Sequence, residues 1–147
     1  MRNFSLSCIL LCSFCSLAFA GPKEEAVAVV EKWTIAFSHS DVDGIVKLYS
    51  PDALFFGTGS KALASNPAEV RAYFEQAFLT IKQPGATIGA HSVSVLSKRV
   101  VVVAGVDTIT GVRDGKPFTS NGRVTFVLAK RGNNWQIVHF HRSAIPT

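Results

Sequence analysis

Apolar positions along this chain follow two different periods. From Pro22 to about Asp41 they recur every three to four residues. Val27, Val30, Trp33 and Phe37 share one face, Ala36 widens it, and Thr34 is the polar exception. That spacing predicts an amphipathic helix. Pro22 followed by Glu24 and Glu25 suits its first turn, where proline gives up no needed amide and acids meet the positive end of the dipole. A second helical stretch begins at the capping pair Ser40-Asp41. It carries Val42, Ile45, Val46 and Tyr49 on one side and is expected to stop at Pro51. A third follows Asn66, with Pro67 at the first helical position and Glu69 three residues after the cap, a capping-box-like start.

The second half changes period. ATIGAHSVSVL, RVVVVAGVDTITGV, FTSNGRVTFVLAK and NWQIVHFHRSA are rich in Val, Ile, Thr and Phe. They are separated by Ser97-Lys98, Asp114-Gly115 and Gly132-Asn133-Asn134. Four strands joined by short turns predict an antiparallel meander. Helices segregated before strands predict an α+β domain, a curved sheet wrapped around helices. FFGTGSKALASNP, between the second and third helices, places Gly57, Thr58, Gly59 and Ser60 as a phosphate loop would. No Gly-Lys-Ser/Thr follows and no crossover surrounds it, so it is expected to be a loop. Phe55 and Phe56 beside it are expected to be core and rim.

The amino-terminal segment bounds the chemistry. Arg2, an apolar run from Phe4 to about Leu17, and Ala18-Phe19-Ala20 form a signal-peptide pattern with cleavage expected after Ala20. The run is too short for a membrane span. The domain then covers 21–147, which is 147 − 20 = 127 residues, enough for one hydrophobic core. Cys8, Cys12 and Cys15 all lie in the removed segment. The remaining chain has no disulfide, no thiol nucleophile and no thiolate ligand for the periplasm or medium it is expected to enter. Loss of Arg2 lowers the formal charge from +5 to +4. The basic residues are scattered, which gives no support to a nucleic-acid partner.

The tail WQIVHFHRSAIP gathers the most chemistry. Strict alternation puts Val138, Phe140 and Arg142 on one face and Ile137, His139, His141 and Ser143 on the other. His139 and His141 have a metal-ligand spacing, but His39 and His91 lie at no matched distance and cysteine is absent, so no metal site is expected. Arg142 is either a satisfied strand residue or an anion clamp. A guanidinium in a pocket forks onto a carboxylate with two hydrogen bonds. Asp107 interrupts an otherwise apolar strand.

AFSHSDVDGIVKLYSPDALFF resembles the second-helix region of nuclear transport factor 2-like proteins. The tail, His-x-His-Arg-Ser-x-x-Pro, closely resembles the end of the association (hub) domain of calcium/calmodulin-dependent protein kinase II and its stand-alone bacterial relatives. The likeness runs from about Glu24 to Pro146. It implies a cone: a strongly bent sheet with three helices closing a deep pocket, and a convex face that makes homodimers or larger rings. Kinase activity is not implied. By this resemblance Arg142 points into the pocket with Phe140 and Val138 behind it, and the histidines lie on the convex side. Asp107 and Phe126 align with pocket arginines of the hub, so this pocket is expected to be less cationic and to take neutral or weakly anionic ligands.

The same fold hosts ketosteroid isomerases, SnoaL-like cyclases and limonene epoxide hydrolases. Their base aligns near Gly57 and their oxyanion tyrosine near Trp33, so both catalytic positions are lost. Asp107 remains a candidate general base, with Tyr49 or Tyr73, or else an ion-pair partner of Arg142. The expected ligand site is Arg142, Asp107, Phe140, Trp33, Tyr49 and Phe126. The leading expectation is a cofactor-free, homo-oligomeric binding domain for a small molecule such as a carboxylate. The alternative is an isomerase or cyclase.

Overall fold

Two of the three helices start at capping side chains. In a computed structural model, described over residues 21–146, helix α1 is Pro22–Ser38, α2 is Val42–Lys47 and α3 is Pro67–Thr80. The expected signal segment 1–20, with its three cysteines, lies outside the described residues. Asp41 caps α2 by accepting from the Gly44 amide at 2.8 Å. Asn66 caps α3 by accepting from the Glu69 amide at 3.1 Å, and Glu69 reaches back to the Ser65 amide at 2.7 Å. The buried stripe of α1 is Ala26, Val29, Val30, Trp33, Ala36 and Phe37. Val27 is only half-buried beside it.

The second helix is shorter than the apolar spacing predicts. It ends at Lys47, and Tyr49 through Phe56 form strand β1. The four expected strands follow as β2 (Lys82–Ser97), β3 (Val100–Arg113), β4 (Lys116–Arg131) and β5 (Asn134–Ala144). Strands β2 to β5 form the antiparallel meander, in sheet order β1-β5-β4-β3-β2. Strand β1 adds to β5 in parallel. A proline argues against a central strand but is tolerated at an edge, where its missing amide leaves no ladder bond unmade. Pro51 sits on such an edge. Ala53 and Phe55 then face inward, and Leu54 and Phe56 outward.

The last strand corrects the expected alternation. Val127 pairs with His139 but Leu128 pairs with Ile137, so Val138 is an extra residue, a β-bulge. The bulge resets the faces. Trp135 and Ile137 are buried before it, and Phe140 and Arg142 after it. Ile137 therefore shares the inner face with Phe140 and Arg142, not the outer face with the histidines, and Val138 does not line the wall behind Arg142.

The helices cover the inner face of the sheet, and an aromatic cluster fills the space between. Phe140 is its hub. Its ring stacks on Trp33 at 5.3 Å and on Phe55 at 5.1 Å, and meets Phe126 edge-on at 5.0 Å. Trp33 buries its indole and donates its N–H to the Tyr49 hydroxyl at 3.1 Å, which satisfies a polar group that burial would otherwise penalise. At the other end of α1, the Glu25 carboxylate accepts from Lys130 Nζ at 2.6 Å and Trp135 Nε1 at 2.5 Å. These bonds pull the Glu25 carboxyl below its usual range and tie the helix start to β4 and β5.

Candidate functional site

A cavity of about 850 Å³ opens between α1, α3, the 57–66 loop and the inner face of the sheet. This size suits a small molecule. Its walls are largely aromatic and aliphatic: Trp33, Phe37, Phe74, Ile109, Phe118 and Phe140. Arg142 also lines it, and Lys61, Glu69 and Arg113 bring charge to other parts of the wall. Arg113 is held over the Phe118 ring, 4.6 Å from its centre, a cation–π arrangement.

Arg142 is buried and braced on three sides. Its Nε donates to Asp107 Oδ2 at 2.7 Å, Nη1 to Thr58 Oγ1 at 2.7 Å, and Nη2 to the Ser120 carbonyl at 2.8 Å. A guanidinium has five N–H donors, so two remain for a ligand. The strand register creates the pair. Asp107 lies opposite Gly122 on β4, and Arg142 lies opposite Val124 two residues along. Gly122 leaves the gap the pair occupies. A Cβ there would lie 2.6 Å from Arg142 Cζ, from Nη2 and from Asp107 Oδ1.

The expected site residues thus divide into two layers. Arg142, Phe140 and Trp33 face the cavity. Asp107, Tyr49 and Phe126 stand behind that wall, at 3%, 4% and 0% exposure. Asp107 spends one carboxylate oxygen on Arg142, and its Oδ1 has no partner among the described residues. Tyr49 is packed against Phe55 and Phe140, and burial pushes its phenol well above the ordinary value. Phe126 is core beneath Trp33 and Phe140. None of these three is part of the cavity lining.

Two residues enter the site that pattern did not place there, Thr58 and Ser120, and Tyr73 joins them from its expected place as a companion of Asp107. Thr58 comes from the loop after the unrecognised β1. Ser120 contributes a main-chain carbonyl, for which residue type carries no signal. Tyr73, on α3, faces the cavity, and burial raises its phenol while the Arg142 charge lowers it. Its ring fills the space beside Gly57, where any Cβ would strike the phenol. The histidines of the tail lie outside the cavity lining. Phe56 and His141 sit with ring centres 6.1 Å apart. Among the described residues, no three His, Cys, Asp or Glu side chains gather as a metal site.

Three helices over one face of a five-stranded mixed sheet, with a pocket between them, define a cone of the nuclear transport factor 2-like class. A Salmonella enterica protein of that superfamily superimposes with a TM-score of 0.75 over 86% of this chain and 92% of its own, at 19% identity. The chain belongs to the SnoaL-like domain family, whose profile matches residues 26–147. A Xanthomonas campestris structure assigned as a calcium/calmodulin-dependent protein kinase II association domain is 30% identical, with a TM-score of 0.78 over 84% of this chain and 87% of that one. The delta subunit of that kinase from Oryctolagus cuniculus is 30% identical over 129 residues, 85% of this chain. The chain spans only 24% of the kinase subunit's length.

Proposed function

We propose that this protein is an exported, self-associating binding domain for a small apolar molecule that carries one anionic group, with Arg142 as the anchor. One observation carries the ligand reading. A buried guanidinium with two uncommitted donors lies in a largely aromatic and aliphatic cavity wall, held in place by Asp107, Thr58 and the Ser120 carbonyl. Fixing a cation in advance reduces what binding must spend on ordering it. Asp107 behind it offsets the guanidinium charge, which weighs against a polyanion.

The isomerase or cyclase reading needs Asp107 as a base in contact with substrate. Asp107 has no face on the cavity and is engaged by Arg142. Tyr73 fills the place beside Gly57 where a base would stand. Both points weigh toward binding.

Self-association is supported by the similarity to a bacterial protein and a kinase subunit of the association-domain type and by the outer sheet face. There Leu54 and Phe56 are 43% and 37% exposed on β1, beside His139 and His141 of β5. Export rests on the amino-terminal pattern of Arg2, the apolar run and Ala18-Phe19-Ala20.

Calorimetric titration with a series of small carboxylates tests the ligand reading. Binding that Arg142→Gln abolishes, with an unchanged circular dichroism spectrum, is expected. Carboxylate binding indifferent to Arg142→Gln would remove the anchor. Intact mass of exported protein should show a chain starting at Gly21, and a product retaining Met1 would contradict export by cleavage.

A further inference from the structure

We infer that Tyr73 is the second headgroup partner of this pocket, and that Tyr73 and Arg142 together clamp the carboxylate of a flat aromatic acid. The inference rests on the anion-pocket reading and deepens it. Tyr73 and Arg142 come from opposite walls, α3 and β5, and both line the same cavity. The Tyr73 ring is fixed edge-on against Phe55 at 4.7 Å and Phe74 at 5.3 Å. The glycine at 57 leaves room for its hydroxyl end, since a Cβ there would collide with both Cζ and Oη. The phenol is thereby positioned by packing and not by a side-chain hydrogen bond.

The state of the hydroxyl follows from its surroundings. Burial holds the Tyr73 phenol above its ordinary value, against the Gly59 backbone and the Arg142 charge, which lower it, so it keeps its proton. The phenol's own O–H is then left as a donor. Arg142 keeps two N–H donors beyond those given to Asp107, Thr58 and Ser120. A ligand carboxylate accepts from both sides at once, and hydrogen bonds to an ionised group are the strong ones.

The body of the ligand is set by the rest of the wall. Trp33, Phe37, Phe74, Phe118 and Phe140 all line the cavity, so its wall is rich in aromatic rings. Aromatic pairs gain energy beyond their buried area when edges meet faces. A flat ring can use these surfaces, whereas a puckered ring of equal size cannot.

Benzoate, cyclohexanecarboxylate and the variants Tyr73→Phe and Arg142→Gln test this by calorimetry. Benzoate should bind the wild type more tightly than cyclohexanecarboxylate. Tyr73→Phe, which keeps the ring, should weaken benzoate about tenfold or more, the scale of a hydrogen bond to a charged group. Its melting temperature should not change. A Tyr73→Phe protein that holds benzoate as tightly as wild type overturns the clamp, and equal binding of the two acids overturns the aromatic body. If benzoate fails to bind wild type, or binds Arg142→Gln equally, the anion-pocket reading itself fails. A second measurement needs no variant. The sequence has two tyrosines, Tyr49 and Tyr73. With ζ-carbon labelling, one resonance should move on benzoate addition, and that of core Tyr49 should stay. Two unmoved resonances under saturating benzoate would overturn the clamp.

Discussion

At the scale of single residues, the molecule depends on a buried charge pair that a missing side chain makes possible. Arg142 and Asp107 meet at 2.7 Å with side chains 9% and 1% exposed. Breaking one partner of such a pair leaves an uncompensated buried charge and costs about 3–5 kcal/mol. Asp107→Ala should therefore lower stability by that order in denaturant titration. Where the protein still folds, it should bind carboxylates more tightly, because Asp107 no longer offsets the guanidinium charge. Gly122→Ala should lower stability too, although it adds only a methyl group. Its Cβ would stand 2.6 Å from both charged partners, so one of them must move. A melting temperature for Gly122→Ala equal to wild type would show that the pair can shift at no cost. The sequence made Asp107 and Arg142 conspicuous as charges in apolar strands. The role of Gly122 was hidden, because close approach across neighbouring strands appears only once the register is known.

At the scale of elements, the caps were legible and the bulge was not. Asn66 and Glu69 announce α3 because their side chains supply partners for amides that the helix leaves free. Asn66→Ala should cost about 1 kcal/mol, read from the shift of an equilibrium unfolding curve. The three-to-four spacing of Val42, Ile45, Val46 and Tyr49 predicts helix up to Pro51 and so hides the start of strand β1. Pro51 has the look of a helix stop but marks a sheet edge. In β5, alternation alone assigns one face too simply, since the extra residue Val138 leaves no mark in composition. Its consequence is that Trp135 and Ile137 can be buried together with Phe140 and Arg142. Removing the bulge forces one of those pairs outward. Deletion of Val138 should abolish cooperative unfolding, while Val138→Ala should leave it with only a small loss. A deletion variant that unfolds as cooperatively as wild type would mean that the bulge does not set the faces.

At the scale of the whole molecule, the cone has an inner face lined by the cavity and an outer face with a different chemistry. His139 lies beside Leu54 on β1 and Val127 on β4, and His141 beside Phe56 and Thr125. The charged groups near this patch are Arg123 on β4 and the Asp52–Arg131 ion pair, joined at 3.1 Å. A neutral His139 suits an apolar contact with a second copy. Burial, and then the neighbouring His141, hold its pKa below the ordinary value. The sign follows directly. A folded pKa below the unfolded one means that the unfolded chain binds more protons in that window. The stabilising contribution is complete above about 6.5, the ordinary histidine value, and is lost as pH falls through that value toward the folded pKa. A face-to-face dimer strengthens the effect, because it brings both histidines of each copy into one interface. Light scattering coupled to size-exclusion chromatography should give a dimer or larger assembly at pH 8 and a smaller species near pH 5. The double variant His139→Asn, His141→Asn should assemble alike at both. A wild-type assembly unchanged between these pH values would place the histidines outside the interface, and a monomer at pH 8 and micromolar concentration would remove the interface altogether.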